Sequence, residues 1–378
     1  MERKNARDQL HFGIIGKGQV ASLHLRSVAL EGGSVLSAGC FSRNPERNQE
    51  QAALLGISKE RVYASFGEMA EVETTRPDPI DFVVVTTPNY SHFEIASAFL
   101  THGIPVLCEK PLTTSLEQAE ALAQTVSETH GLFCVNYTYS GYPMLHQAQR
   151  MIQSGLLGTL IRVVVEYQQD RQFMTNLPDG DWRKDPLSAG SGCTADIGVH
   201  AWHLVSMVTG LKAQRLMALF SSKPEQLPVE TDVTATVRYQ GGASGVLIAS
   251  KTSIGHNCDI TLRVYGTLGS LEWTHSAPQK LIFSPLGEPV RIYSAANPYL
   301  CPDIRELSRL SSGHMEGLHD AQANIYRPFI RNIQDRKRGC ESGLYDYPTI
   351  EDGLDGVRFL DACLRSVRNN SQWVDFFA

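Results

Sequence analysis

The chain has 378 residues, a mass of 41.7 kDa, a formal net charge of -6 and a pI of about 6.1. That length exceeds one ordinary core and predicts two domains, and 42% hydrophobic against 20% charged residues excludes a disordered chain. A mildly acidic protein has no general attraction for nucleic acid or anionic membrane, and no uncharged apolar run reaches the roughly 18 residues of a membrane span.

The opening stretch, MERKNARDQLHFGIIG, carries charges and no apolar signal core. Cys40, Cys108, Cys134, Cys193, Cys258, Cys301, Cys340 and Cys363 are scattered singly, without a CxxC pair. Reduced, mostly buried thiols in a cytoplasmic protein are the expectation.

The first third alternates strand and helix. HFGIIG (11–16), VLSAGCF (35–41), IDFVVVTTP (80–88), PVLCE (105–109) and LFCVNY (132–137) are short and apolar throughout, as strands buried on both faces of a parallel sheet are. Among the intervening helices, SLEQAEALAQTVSETHG has a capping-box pattern at Ser115 and Gln118 and a stop at Gly131. Alternation of this kind predicts a doubly wound α/β fold.

From about residue 140 the pattern changes. A helix is expected at 145–154. Strands are then expected at 160–168, 233–240, 244–252, 259–267 and 269–275, several with one solvated face and joined by glycine turns. That pattern predicts an antiparallel sheet. Two helices, at roughly 319–336 and 350–368, follow.

The first strand runs into GIIGKGQVASLH, where Gly16, Gly18 and Ala21 match the dinucleotide fingerprint GxGxxG/A. Gly16 allows the tight turn and Gly18 lets backbone approach a pyrophosphate. Gln19 and Val20 open the helix whose N–H groups face the phosphates. The second strand ends CFSRNPER, without the acid that would accept a ribose 2′-hydroxyl. Ser42 can bond the ribose or a 2′-phosphate, and Arg43 can pair with that phosphate or cover the adenine, so NAD and NADP both stand. Thr87, Pro88 and Asn89 fall at the carboxyl edge of the third strand, where a cofactor crosses. His92 begins a helix there, either packing locally or touching cofactor or substrate.

The fourth strand carries Glu109 and Lys110 past its end, and Pro111 stops it. Lys110 beside a nicotinamide can stabilise a developing alkoxide. Glu109 can hold Lys110 or bond a cofactor ribose. A plain surface Glu-Lys at a strand end is the alternative. Downstream, SAGSGCTADIGVHAWHLVSMVTG (188–210) predicts a small-residue loop and a helix ending at Gly210. Asp196 and His200, four apart, share a helix face, a frequent acid–base arrangement. A capped helix with a satisfied histidine is the alternative. His203 extends that face, but the spacing is no standard zinc pattern and no metal is expected.

GIIGKGQVASLH, TTPNYSHF, VLCEKPL and DIGVH, in this order, resemble the Gfo/Idh/MocA oxidoreductase family over nearly the whole chain. The resemblance implies a Rossmann domain, 1–140, and a substrate-binding and oligomerisation domain, 141–378, with a large, open, mostly antiparallel sheet. It implies Lys110, Asp196 and His200 as the catalytic set, with His200 taking the proton of a substrate hydroxyl. It also implies Tyr137, Trp182 and Arg183 at the substrate. NYTYSGYPM, LRVYGTLGSLEW and GHMEGLHDAQANIY look like a subgroup acting on sugars or cyclitols. The expected activity is therefore an NAD- or NADP-dependent dehydrogenase of a polyol or sugar, with no nucleic-acid or membrane partner, forming a homodimer or homotetramer. A glycosidase using NAD transiently and a nucleotide-bound sensor are the alternatives. Many relatives carry Gly-Gly-Gly where this chain has Gly190-Ser191-Gly192, and an acid where it has His203. Both departures border the substrate end.

Overall fold

A computed structural model describes residues 9–174, 178, 180–225, 227–340, 343 and 345–377. The first eight residues of the charged N-terminal stretch lie outside them. The chain divides into two compact units. The first comprises residues up to Thr113, then Glu117–Thr138 and Gln322–Leu354, and the second Thr114–Leu116, Tyr139–Ala321 and Asp355 onward.

The first unit is built on β1 (Leu10–Ile15), α1 (Gln19–Glu31), β2 (Ser34–Cys40), α2 (Pro45–Leu54), α3 (Phe66–Thr75), β3 (Phe82–Val85), α4 (His92–Thr101), β4 (Val106–Cys108), α5 (Leu116–Thr129) and β5 (Phe133–Val135). The strands form one parallel sheet in the order β2-β1-β3-β4-β5. The order reverses at β1 and β3, and a doubly wound sheet binds its ligand outside the carboxyl ends at that point. Alternate residues explain why the strands read as apolar throughout. Phe12, Ile14, Phe82, Val84, Leu107 and Cys134 turn to one core, which Ala21 and Val28 of α1 and Ala52 of α2 join. Val83, Val85, Val106, Cys108, Phe133 and Val135 are equally buried. Asn44 caps α2 by accepting from the Arg47 N–H, with Pro45 at the first helical position. Helix α5 ends at Thr129. The left-handed residue after it is His130 (φ 49°) and not Gly131.

The second unit contains α6 (Pro143–Gln153), β6 (Leu160–Gln168), α7 (Arg171–Met174), α8 (Pro186–Ala189), α9 (Val199–Thr209), β7 (Ala213–Ser221), β8 (Asp232–Tyr239), β9 (Ser244–Ser250), β10 (Asp259–Gly266), β11 (Gly269–Thr274), β12 (Lys280–Pro285), β13 (Arg291–Ser294) and α10 (Pro302–Arg305). Its nine-stranded sheet runs β13-β12-β11-β10-β6-β9-β8-β7-β14, with β14 at Val374–Asp375. All neighbours are antiparallel except β6 and β9, which are parallel. Inward positions such as Val163, Val165, Tyr167, Leu262 and Val264 are buried and alternate with half-exposed ones. Strand β7 has no clean period of two because its register slips between Ala213 and Arg215.

Helix α11 (Leu318–Lys337) sends Ile325, Tyr326, Phe329, Ile330 and Ile333 into the core of the first unit. In α12 (Ile350–Arg368), Phe359 stacks on Trp202 of α9 at 4.6 Å within the second unit. The eight cysteines are unpaired; Cys108, Cys134, Cys193 and Cys363 are buried, while Cys301 and Cys340 are exposed. Among the described residues no helix is long and apolar enough to cross a membrane.

Candidate active site

At the carboxyl end of β1, Gly16 has φ +103°, and a Cβ there would stand 2.7 Å from Thr86 Oγ1 and 3.0 Å from the Thr86 carbonyl. No side chain fits, so this turn requires glycine. Gly18 has φ +102° and open space where its Cβ would be. With exposed Gln19 and Val20 behind it, the start of α1 presents accessible backbone. These features fit a pyrophosphate on a helix N-terminus. At the end of β2, the buried Asn48 accepts from the Phe41 and Ser42 N–H groups and donates to the Tyr63 carbonyl. It fixes the turn that presents Ser42 and the exposed Arg43.

His92 is fully buried, and its ring nitrogens lie 2.9 Å from the backbone carbonyls of Pro111 and Thr87. It pins together the loops that leave β3 and β4. Burial pushes its pKa down, against the pull of those two carbonyls. Asn89 is buried in the first of these loops, where Ser91 donates to Thr87 Oγ1 and to the Pro88 carbonyl.

Glu109, beyond the end of β4, accepts from His24 Nε2 at 2.8 Å, from Asn136 Nδ2 at 2.5 Å and from the Lys110 N–H at 3.2 Å. On its other side His24 meets the Tyr326 hydroxyl at 2.6 Å. Gln322 lies beside the same ring and accepts from Ser27. Burial would raise the Glu109 carboxyl; the hydrogen bond and attraction of His24, with Lys110 and Asn136, overturn this and hold it well below the usual carboxylate range. The acid next to Lys110 is thus the hub of a buried lattice drawn from α1, β4, β5 and α11. His24 was not singled out from the sequence, although it falls on the buried α1 face with Ala21 and Val28. Tyr137, just past β5, is buried.

In the second unit the segment before α9 opens as a π-helical turn, Thr194–Gly198, with the Val199 N–H bonded to the Thr194 carbonyl. Asp196 therefore sits in a turn closing i to i+5 rather than in a regular α-helical turn. The buried carboxylate of Glu230 anchors this turn. It accepts from Ser191 Oγ at 2.6 Å and from the Gly192 and Thr194 N–H groups at 2.9 Å. A Cβ on Gly192 would lie 1.9 Å from the Glu230 carbonyl oxygen, which demands glycine there; Ser191 supplies a donor that glycine could not. Glu230 and Lys251 carry no periodic signal, and sequence reasoning missed both. Lys251 pairs with Asp196 at 2.8 Å.

His200 is buried, edge-on to the Tyr139 ring at 5.0 Å and 6.4 Å from the Tyr167 ring. The two tyrosine hydroxyls meet at 2.6 Å, and burial raises both pKa values, so they stay protonated. Tyr142 bonds His275 behind them, and burial pushes the His275 pKa down. His203 is buried one turn further along α9. Asp181 accepts from the Arg183 N–H and guanidinium, and that guanidinium stacks 4.5 Å over Trp182. Among the described residues no group of three or more His, Cys, Asp or Glu is arranged to hold a metal.

A reversing parallel sheet with a glycine turn at its switch point defines a dinucleotide-binding protein of the Rossmann class, here joined to a second, mostly antiparallel α/β unit. Residues 10–137 match the oxidoreductase family with an NAD-binding Rossmann fold, and residues 145–272 match the GFO/IDH/MocA C-terminal domain. The chain is 30% identical to an uncharacterised oxidoreductase, YfiI, of Bacillus subtilis, over 97% of both chains. Its fold matches a crystal structure of an inositol dehydrogenase homologue from Azotobacter vinelandii complexed with NAD+ (32% identity, 97% of each chain, TM-score 0.93). The same homologue with NADH and myo-inositol matches at 31% identity over 97% and 98% of the chains, with TM-score 0.89. The chain belongs to the Gfo/Idh/MocA family of NAD-binding oxidoreductases.

Proposed function

We propose that this protein is a nicotinamide-dependent dehydrogenase oxidising a secondary hydroxyl of an inositol, a sugar or a sugar derivative. The reading rests most on one observation. A buried imidazole, His200, is walled by Tyr139 and Tyr167 and follows Asp196 on one continuous helical segment. That is the setting of a general base. In the reaction, His200 takes the hydroxyl proton, and Lys110 steadies the oxygen as it gains charge. Asp196 supports the imidazole. A bound nicotinamide cofactor supplies the hydride acceptor for the hydrogen leaving the carbinol carbon. Gly16, Gly18, Gln19 and Val20 hold its pyrophosphate, Thr87, Pro88 and Asn89 border its path, and His92 and Glu109 hold the surrounding loops. Ser42 and Arg43 accommodate either a ribose hydroxyl or a 2′-phosphate, so NAD and NADP both fit. Trp182 and Arg183, stacked on one another, offer a sugar-facing surface, with Tyr137 as a further substrate residue.

We also propose a cytoplasmic homodimer or homotetramer. The support is eight free thiols and a nine-stranded sheet whose outer face carries exposed Ile161, Leu219 and Ile292.

The test is Lys110→Met assayed with myo-inositol and both coenzymes. Turnover should fall at least about 100-fold, while NADH binding, read by cofactor fluorescence, is kept. A variant with wild-type turnover would remove Lys110 from the chemistry. A wild-type protein silent toward a panel of inositols and sugars would remove the dehydrogenase reading.

A further inference from the structure

Lys251 is the first residue beyond β9, and its backbone is fixed on both sides. Its N–H donates to the Thr231 carbonyl at 2.8 Å, and its carbonyl accepts from the Gln172 N–H at 2.9 Å. The root of the side chain is therefore held, and the chain itself is mostly covered, with 18% of it exposed. Its ammonium ends 2.8 Å from Asp196 Oδ2.

Two more carboxylates lie in this region, and neutral groups already satisfy both. Glu230 takes the Ser191, Gly192 and Thr194 donors. Asp232 takes the hydroxyls of Thr231, Ser250 and Thr252. The ammonium is instead directed to Asp196, the acid that precedes His200 on the helical segment. An ordinary surface pair would contribute little and would have no reason to select this carboxylate.

We propose that Lys251 is a positioning residue of the site: by holding the Asp196 carboxylate it sets the pH at which His200 can accept a proton. This rests on the reading of His200 as the base. A carboxylate given wholly to an imidazole raises its basicity; one shared with an ammonium raises it less, and the ammonium itself repels an imidazolium. The groups around His200 make the effect separable. Tyr139 and Tyr167, on the loop before α6 and on β6, stay protonated. Burial pushes the pKa of His275, beyond Tyr139, down from its ordinary value. His203 lies on the same helix, and Cys258 lies near the two tyrosines. Asp196 and Lys251 are the charges whose balance the imidazole feels, with Glu230 and Asp232 behind them.

The experiment measures kcat/KM for myo-inositol with NAD+ between about pH 6 and pH 9 in the wild type, Lys251→Met, Lys251→Arg and Asp196→Asn. In parallel, the His200 imidazole is titrated by NMR on the protein without substrate, its signal identified by loss in His200→Gln. Lys251→Met should move both the acid limb and the imidazole titration upward by roughly one pH unit. Lys251→Arg should restore both, and Asp196→Asn should move them downward. If Lys251→Met does not fold, Lys251→Gln carries the same expectation. An imidazole that titrates in Lys251→Met or Lys251→Gln where it does in the wild type overturns the proposal. If His200→Gln still turns over, the base reading fails instead, and the NMR shift alone decides the role of Lys251.

Discussion

Replacing Glu109 by glutamine tests whether the buried lattice behind Lys110 holds the first unit together. The Glu109 side chain is 11% exposed and His24 not at all, and three donors converge on the carboxylate. Glutamine keeps one acceptor oxygen but turns an NH2 toward the Asn136 amide NH2 or the Lys110 N–H, which can only donate, and it removes the charge. Breaking one side of a buried pair costs about 3–5 kcal/mol, and the retained oxygen places Glu109→Gln at the low end, about 3 kcal/mol. The folded carboxyl titrates below its ordinary value of 4.5. Its stabilisation is therefore complete at pH 7 and drains away as the pH falls below about 4.5, so the gap between wild type and variant narrows in acid. Trp182, Trp202, Trp273 and Trp373 all belong to the second unit. In urea, Glu109→Gln should therefore lose ellipticity earlier than the wild type while the tryptophan signal moves less. A double-mutant cycle with His24→Gln isolates the pair, with a coupling of at least about 1.5 kcal/mol expected. Additivity of the two substitutions to within about 0.5 kcal/mol would refute the reasoning.

Gly16→Ala places a methyl group against Thr86 at a φ of +103°; the NADH dissociation constant, read by cofactor fluorescence, should rise at least about 10-fold. Glu230→Gln loosens the turn carrying Asp196, and kcat with myo-inositol should fall about 10-fold while NADH affinity is unchanged. Steady-state kinetics beside a binding titration check the second of these.

Strands β1, β3, β4 and β5 of the first sheet were legible because both faces are buried, which leaves unbroken apolar runs such as Phe82–Val85, while the edge strand β2 is half-exposed. The second sheet was legible in its central strands and not at its margins. Strand β13 is short and exposed, and the slip near Arg215 spoils the period of β7. Parallel pairing of β6 with β9 has no local signature, since pairing partners are chosen across the sheet. Within the candidate site, the elements bearing Lys110 and His200 could be read, but the partners of the site residues could not. The pairing of Glu109 with His24 could not be read because His24 lies 85 residues earlier. Asp196 was assigned to an α-helical face because a π turn leaves no mark in residue spacing. Glu230 meets the glycine loop only through the fold.

Residues 322–354 return to the first unit after every strand of the second sheet except β14 has been made. Tyr326 and Phe329 close its core, and the Pro348 carbonyl receives the Val135 N–H at the end of β5. A ribosome delivers the chain in order, so the dinucleotide-binding half cannot finish when its own strands have emerged. Phe12, Phe82 and Leu107 must wait, apolar and uncovered, until the late helix is made. A fragment cut after Thr138 should for the same reason be sticky rather than self-sufficient. The unit whose strands emerge first is completed only once Tyr326 and Phe329 have been made.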